Sequence, residues 1–195
     1  MTTFFRKFLI ALASLAFVLQ VQAMSVLPMY LDEIVKDATV AFDGECISNR
    51  SEVDAKMGVV VTYTTFKVTE VLRGKVGANH TIKQLGGSTA GQMYRLPGMT
   101  TFLEGAPYVV FLYGVSSAGF SSPVGLSQGQ FTIRDGANGR ELSNGRDFKD
   151  MLRPEVVDRL PQNVKRGVQQ TTGPLSHVGL VDFKQMVRQL DGTTP

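Results

Sequence analysis

Val59-Val60-Val61-Thr62-Tyr63-Thr64-Thr65-Phe66-Lys67-Val68 is the stretch on which the fold turns. β-Branched and aromatic side chains fill it almost without a break. Such residues pack well on a pleated surface and lose rotamer freedom in a helix. A strand over residues 58–72 is therefore predicted. Its alternation slips near Thr69 and Glu70, where Phe66 and Val68 give way to Val71 and Leu72, so a β-bulge is expected there.

The neighbours on either side read the same way. Upstream, Val40, Phe42, Gly44 and Cys46 alternate with Ala41, Asp43, Glu45 and Ile47, which predicts a half-buried strand over 39–48. Residues 49–58 are polar and read as a turn. Before that strand, Leu27, Leu31, Ile34 and Val35 recur at helical spacing, and a short amphipathic helix over 28–36 follows. Downstream, residues 73–77 form a turn and 79–85 alternate again. Tyr108-Val109-Val110-Phe111-Leu112-Tyr113 is continuously apolar, as a strand buried on both faces would be. A further strand is read over 124–134, and Asp135-Gly136-Ala137-Asn138-Gly139 is a hairpin turn into a short strand at 140–142.

After Asn144-Gly145 the character becomes helical: short turns over 147–152 and 154–160, a polar stretch over 161–174 read as mobile, and an amphipathic helix over 180–190. The expected fold class is mainly β, a small antiparallel barrel of about six strands with a short N-terminal helix and peripheral C-terminal helices.

Residues 1–23 carry an address. Arg6 and Lys7 precede an apolar run from 8 to 21, and Val21-Gln22-Ala23 offers small residues at a cleavage position. This is the pattern of a secretory signal peptide, with a retained membrane anchor as the alternative. Cleavage takes Arg6 and Lys7 from 20 basic residues, leaving 18 against 17 carboxylates. A nearly neutral protein with no basic stripe gives no reason to expect a nucleic-acid partner. No stable membrane insertion is expected after cleavage. The division expected is 1–23 signal, 24–145 barrel with its leading helix, and 146–195 helical extension.

Cys46 is the only cysteine, so no intramolecular disulfide can form. It reads as a small buried hydrophobe or as a bridge between chains. His80 and His177 are the only histidines and lie far apart in sequence, so neither a metal site nor a cofactor is expected. Residues 135–141 offer too few oxygen ligands at the right offsets for a calcium loop.

Gly125-Leu126-Ser127-Gln128-Gly129 matches the G-x-S-x-G motif of serine hydrolases. Ser127 would be the nucleophile and His177 its base, with Asp147, Asp150 or Asp158 as orienter. The residues that follow, Gln130-Phe131-Thr132-Ile133, read as a strand, whereas the motif requires a helix there. Gly86-Gly87-Ser88-Thr89-Ala90-Gly91 has the composition of a phosphate loop but lacks its Lys and its following helix. Asp43 and Glu45 share a strand face, as an acid/base pair or a solvent face.

Residues 86–106 form a long glycine-rich connection bearing Met93, Tyr94, Met99 and Phe102. Loops of this length in compact domains tend to be functional, and Met and aromatic side chains suit partner binding. The same side chains could instead cap an open end of the barrel.

The short helix, the strand Val40-Ala41-Phe42-Asp43-Gly44-Glu45, the long strand from Tyr63 through Val71-Leu72-Arg73-Gly74, and the apolar strand after Glu104-Gly105 together resemble netrin-like modules over about residues 38–134. They are also similar to exported bacterial β-proteins of like layout. The resemblance implies a small OB-like barrel that binds something. Inhibitors built on that module chelate zinc through an N-terminal cysteine, and this chain has none at Met24-Ser25, so that mechanism has no residue to carry it. The expected function is an exported, non-enzymatic module binding an extracytoplasmic protein or envelope component. The alternatives are a small secreted hydrolase using Ser127 and His177, and a structural or assembly protein, dimeric through Cys46.

Overall fold

A computed structural model describes residues 26–192; the signal-peptide reading of residues 1–23 lies outside them. After helix α1 (Leu31–Asp37) come two long strands, β1 (Val40–Val53) and β2 (Val60–Arg73), then β3 (Asn79–Leu85). A small hairpin, β4 (Gly87–Ser88) and β5 (Met93–Tyr94), precedes β6 (Pro107–Leu112), β7 (Gln130–Gly136) and β8 (Gly139–Ser143). The chain ends in α2 (Pro154–Val157), α3 (Gln162–Gln170), the short β9 (Val178–Gly179) and α4 (Leu180–Leu190).

Seven strands make one antiparallel sheet in the order β3-β2-β1-β6-β7-β8-β9. The mainly β class, the leading helix and the C-terminal helices are as expected, but the sheet is open and does not close into a barrel. The segment after β6, Gly114-Val115-Ser116-Ser117-Ala118-Gly119, is too poor in β-formers to extend a ladder. It crosses as a loop instead. Ser121 donates its backbone N–H to the Lys83 carbonyl at 3.0 Å, and Tyr113 does the same to Ser122 at 3.0 Å. The curl of the sheet is thus finished by a loop, with β3 and β9 left as its outer strands.

Each face of the sheet carries a core. On one face, Ala41, Val109, Phe111, Phe131, Ile133 and Leu142 meet α1 and the C-terminal helices. Residues after 145 enter that same core through Phe148, Met151, Val164, Phe183, Met186 and Val187. On the other face, Phe42, Cys46, Phe66, Ile82, Tyr108 and Val110 form a second, smaller cluster. β1 and β6 lie between the two, which is why 108–112 is apolar without alternation.

Three bulges bend the β1–β2 pair. The register skips Leu72 and Thr69 on β2, where the sequence slipped, and Ile47 on β1. The third has consequences for function. β1 runs on to Val53 instead of ending near 48, and the extra residue at Ile47 reverses the parity beyond it. Residues 161–174, expected to be mobile, contain α3, whose Val164 is buried in the main core with Val168 packed against it one turn on. The strand expected from 124 starts only at Gln130, because Gly125 and Leu126 adopt positive φ (60° and 62°) and open a 3-10 turn.

Candidate functional site: a cleft beneath a pinned strap

Beyond the Ile47 bulge, the face of β1 that carries Cys46 continues as Asn49 and Ser51. These lie opposite Thr64 and Thr62 of β2, and β3 adds Gln84 opposite Thr62. The apolar floor built by Cys46, Phe66 and Ile82 therefore turns into a row of hydroxyls and amides further along the same strands.

Residues 86–106 arch over this row and are pinned at both ends. At the near end the Thr62 hydroxyl donates to the Gly86 carbonyl at 2.7 Å. Gly87 then passes so close that a Cβ would collide with the Thr62 and Ser51 hydroxyls, at a φ of +134° that favours glycine. At the far end Phe102 is only 4% exposed, edge-on to Phe66 (4.8 Å) and Tyr108 (5.1 Å). The Asn49 side-chain amide donates to the Phe102 carbonyl at 2.7 Å, Leu103 N–H donates to the Tyr108 hydroxyl at 2.9 Å, and Cys46 N–H donates to the Ala106 carbonyl at 3.0 Å.

Between the pins lies a cavity of about 710 Å³, inside the range of about 300–1,000 Å³ usual for ligand sites. The β4–β5 hairpin and residues 95–101 roof it with Met93, Tyr94, Leu96, Pro97 and Met99. Arg95 is the one charged residue in its lining. All four loop residues expected to bind line this cavity, but not in one role. Phe102 is a core plug that anchors the strap, Met99 is half-buried against Gln84, and Met93 (67% exposed) and Tyr94 form the outer lip.

Most of the floor is internally satisfied. Thr64 donates to Asn49 Oδ1 at 2.7 Å, and the Ser51 and Thr62 hydroxyls lie 2.9 Å apart. Asn49, Ser51, Thr62, Thr64 and Gln84 were missed by the sequence reading. Thr62, Thr64 and Gln84 are polar side chains within strands, whereas Asn49 and Ser51 read as turn residues, and only the bulge at Ile47 turns those two inward.

The other candidates are placed elsewhere. Ser127 is exposed on the 3-10 turn (Leu126–Gly129), His177 is half-buried just before β9, and no hydrogen bond joins them among the described residues. Asp147 accepts N–H groups from Lys149 and Leu175, both at 3.0 Å, and Asp158 pairs with Lys165 at 2.8 Å. The Gly-x-Ser-x-Gly segment is a clasp. Gln128 receives Met29 N–H (2.8 Å) and Arg146 (2.7 Å) at Oε1, and donates through Nε2 to the Leu27 carbonyl at 3.0 Å, tying down the chain before α1.

Gly86–Gly91 opens the small hairpin, whose turn is closed by Thr89 N–H donating to Gln92. Asp43 and Glu45 do not share an environment. Glu45 is exposed, whereas Asp43 is 3% exposed and pairs with Lys184 of α4 at 2.5 Å, so it is neither solvent face nor half of an acid/base pair with Glu45. Cys46 is fully buried, and burial pushes its thiol above the ordinary 9.0, against a dimer bridged through it.

Among the described residues no group of three or more His, Cys, Asp or Glu could hold a metal ion, and no helix is long and apolar enough to cross a membrane. No family model, curated protein or solved structure matches the chain.

Proposed function

We propose that this chain is an exported, non-enzymatic binding module and that the cleft beneath the strap receives a protein or other envelope component. The observation that carries the reading is the cavity of about 710 Å³, with a hydrogen-bonding floor on rigid strands and an adaptable Met and Tyr lip. Sites of this kind place orienting polar groups on a scaffold and cover them with apolar side chains. Met and Tyr give contact area that can repack around a partner. The charged n-region and apolar run of residues 6–23 support export, and the resemblance to netrin-like modules supports a small β-domain that binds.

The test compares capture from the native envelope fraction by the wild-type protein and by a Met93→Ser/Tyr94→Ser variant. Both positions are exposed on the short hairpin, so folding is expected to survive, which circular dichroism checks. The species retained by the wild type is expected to be lost from the variant. Equal capture by both would remove the cleft from the account.

A further inference from the structure

Gln84 is the one floor residue whose hydrogen-bonding capacity is not absorbed by the protein. Its side chain lines the cavity and the residue is only 4% exposed. The contact its amide makes is from Nε2 to the Met99 sulfur at 3.5 Å, a weak acceptor, and no donor in the described protein reaches Oε1. Turning the amide over would set Oε1 against the sulfur, two acceptors face to face, so the orientation with Nε2 on Met99 is the favoured one. The open Oε1 acceptor lines space a ligand can enter, so a donor bound in the cavity would complete the set.

A primary amide presents one donor and one acceptor side by side. Its complement is the N–H and C=O of one residue in extended backbone, which point to the same side. Met99 lies against Gln84, and Leu96 and Pro97 line the same cavity, which favours an apolar group beside that amide. With Arg95 the lone charged residue lining the cleft, a strongly anionic or cationic ligand has little to pair with.

We infer that the cleft recognises a peptide segment with an apolar side chain, read by Gln84 through the backbone N–H and C=O of one residue. This rests on the binding role proposed for the cleft and names its ligand class.

Titration of the ¹⁵N-labelled protein tests it with three probes: N-acetyl-leucine methylamide, the analogue in which an ester oxygen replaces the leucine-side N–H, and N-acetylglucosamine. The leucine amide is expected to shift the Gln84 side-chain resonances and to bind about five- to tenfold more tightly than the ester. Gln84→Leu is expected to abolish that ratio while leaving the strap signals of Met93 and Tyr94 responsive to both. Equal affinity of amide and ester in the wild type overturns the inference, as does tighter binding of N-acetylglucosamine. If no probe moves Gln84 while the envelope capture still depends on Met93 and Tyr94, amide recognition fails and the binding role stands.

Discussion

Lys184→Met is expected to lower the unfolding free energy by about 3–5 kcal/mol, a large part of what a domain of this size possesses. Lys184 reaches from α4 to two carboxylates on neighbouring strands, Asp43 at 2.5 Å and Glu70 at 2.7 Å. Asp43 is buried, and the Lys184 ammonium is the cation that faces it. Removing the ammonium strands an anion in low dielectric, and that desolvation cost, more than the lost attraction, makes the effect large. The companion Asp43→Asn/Lys184→Met variant should recover much of the loss, because no buried charge is then left alone. The chain has no tryptophan, so denaturant unfolding is best followed by far-UV circular dichroism.

The same cluster sets an acid limit. Burial pushes the Glu70 carboxyl upward, but its bonds to Lys184 and Arg188 outweigh this and hold it below the ordinary 4.5. The folded state therefore takes up this proton less readily than the unfolded chain. The stability Glu70 contributes is full above about pH 4.5 and is lost as the pH falls through its depressed value. Lys184→Met should flatten that acid-side slope, and an unchanged slope would show that the pair contributes little.

Phe183→Ala is expected to cost about 3–5 kcal/mol. The Phe183 ring sits among three other buried phenylalanines, with centroids 4.8 Å from Phe131, 5.6 Å from Phe148 and 6.1 Å from Phe111. Phe111 and Phe131 belong to the sheet, Phe148 to the segment after β8, and Phe183 to α4, so one side chain joins three parts of the chain. Truncation removes burial and edge-to-face contacts together and leaves a cavity that strands cannot collapse to fill. Amide exchange in β8, β9 and α4 should accelerate with the global loss. A change below about 1 kcal/mol would mean that α4 is a loosely held appendage.

What could be read in the sequence follows the physics of each segment. Residues 59–68 and 108–112 declare strands because β-branched and aromatic residues are dense there. The bulge at Thr69 was visible as a slip in alternation, and α4 as an amphipathic stretch whose buried stripe is Leu180, Phe183, Met186 and Val187, with Val181 facing solvent. The bulge at Ile47 left no such mark. Beyond it the residues are polar on either parity, so Asn49 and Ser51 looked like turn residues when they are floor. Closure was misjudged for a related reason. Whether β3 meets a strand or a loop depends on contacts between residues 83 and 121, which no local pattern encodes.

The roof of the cleft was legible because Met93, Tyr94, Met99 and Phe102 are out of character for a glycine-rich loop. Their division into lip and plug was not, since it depends on Phe66 and Tyr108 receiving Phe102.

The most direct test of the cleft places a benzophenone amino acid at position 94 in the full chain, expressed in its own host cells, with position 181 on α4 as the exposed control. Irradiation is expected to yield a discrete cross-linked species from position 94 and none from position 181, and Gln84→Leu should weaken it. The same adducts from both positions, or none from position 94, would contradict the claim that the strap and its cleft are where this protein binds.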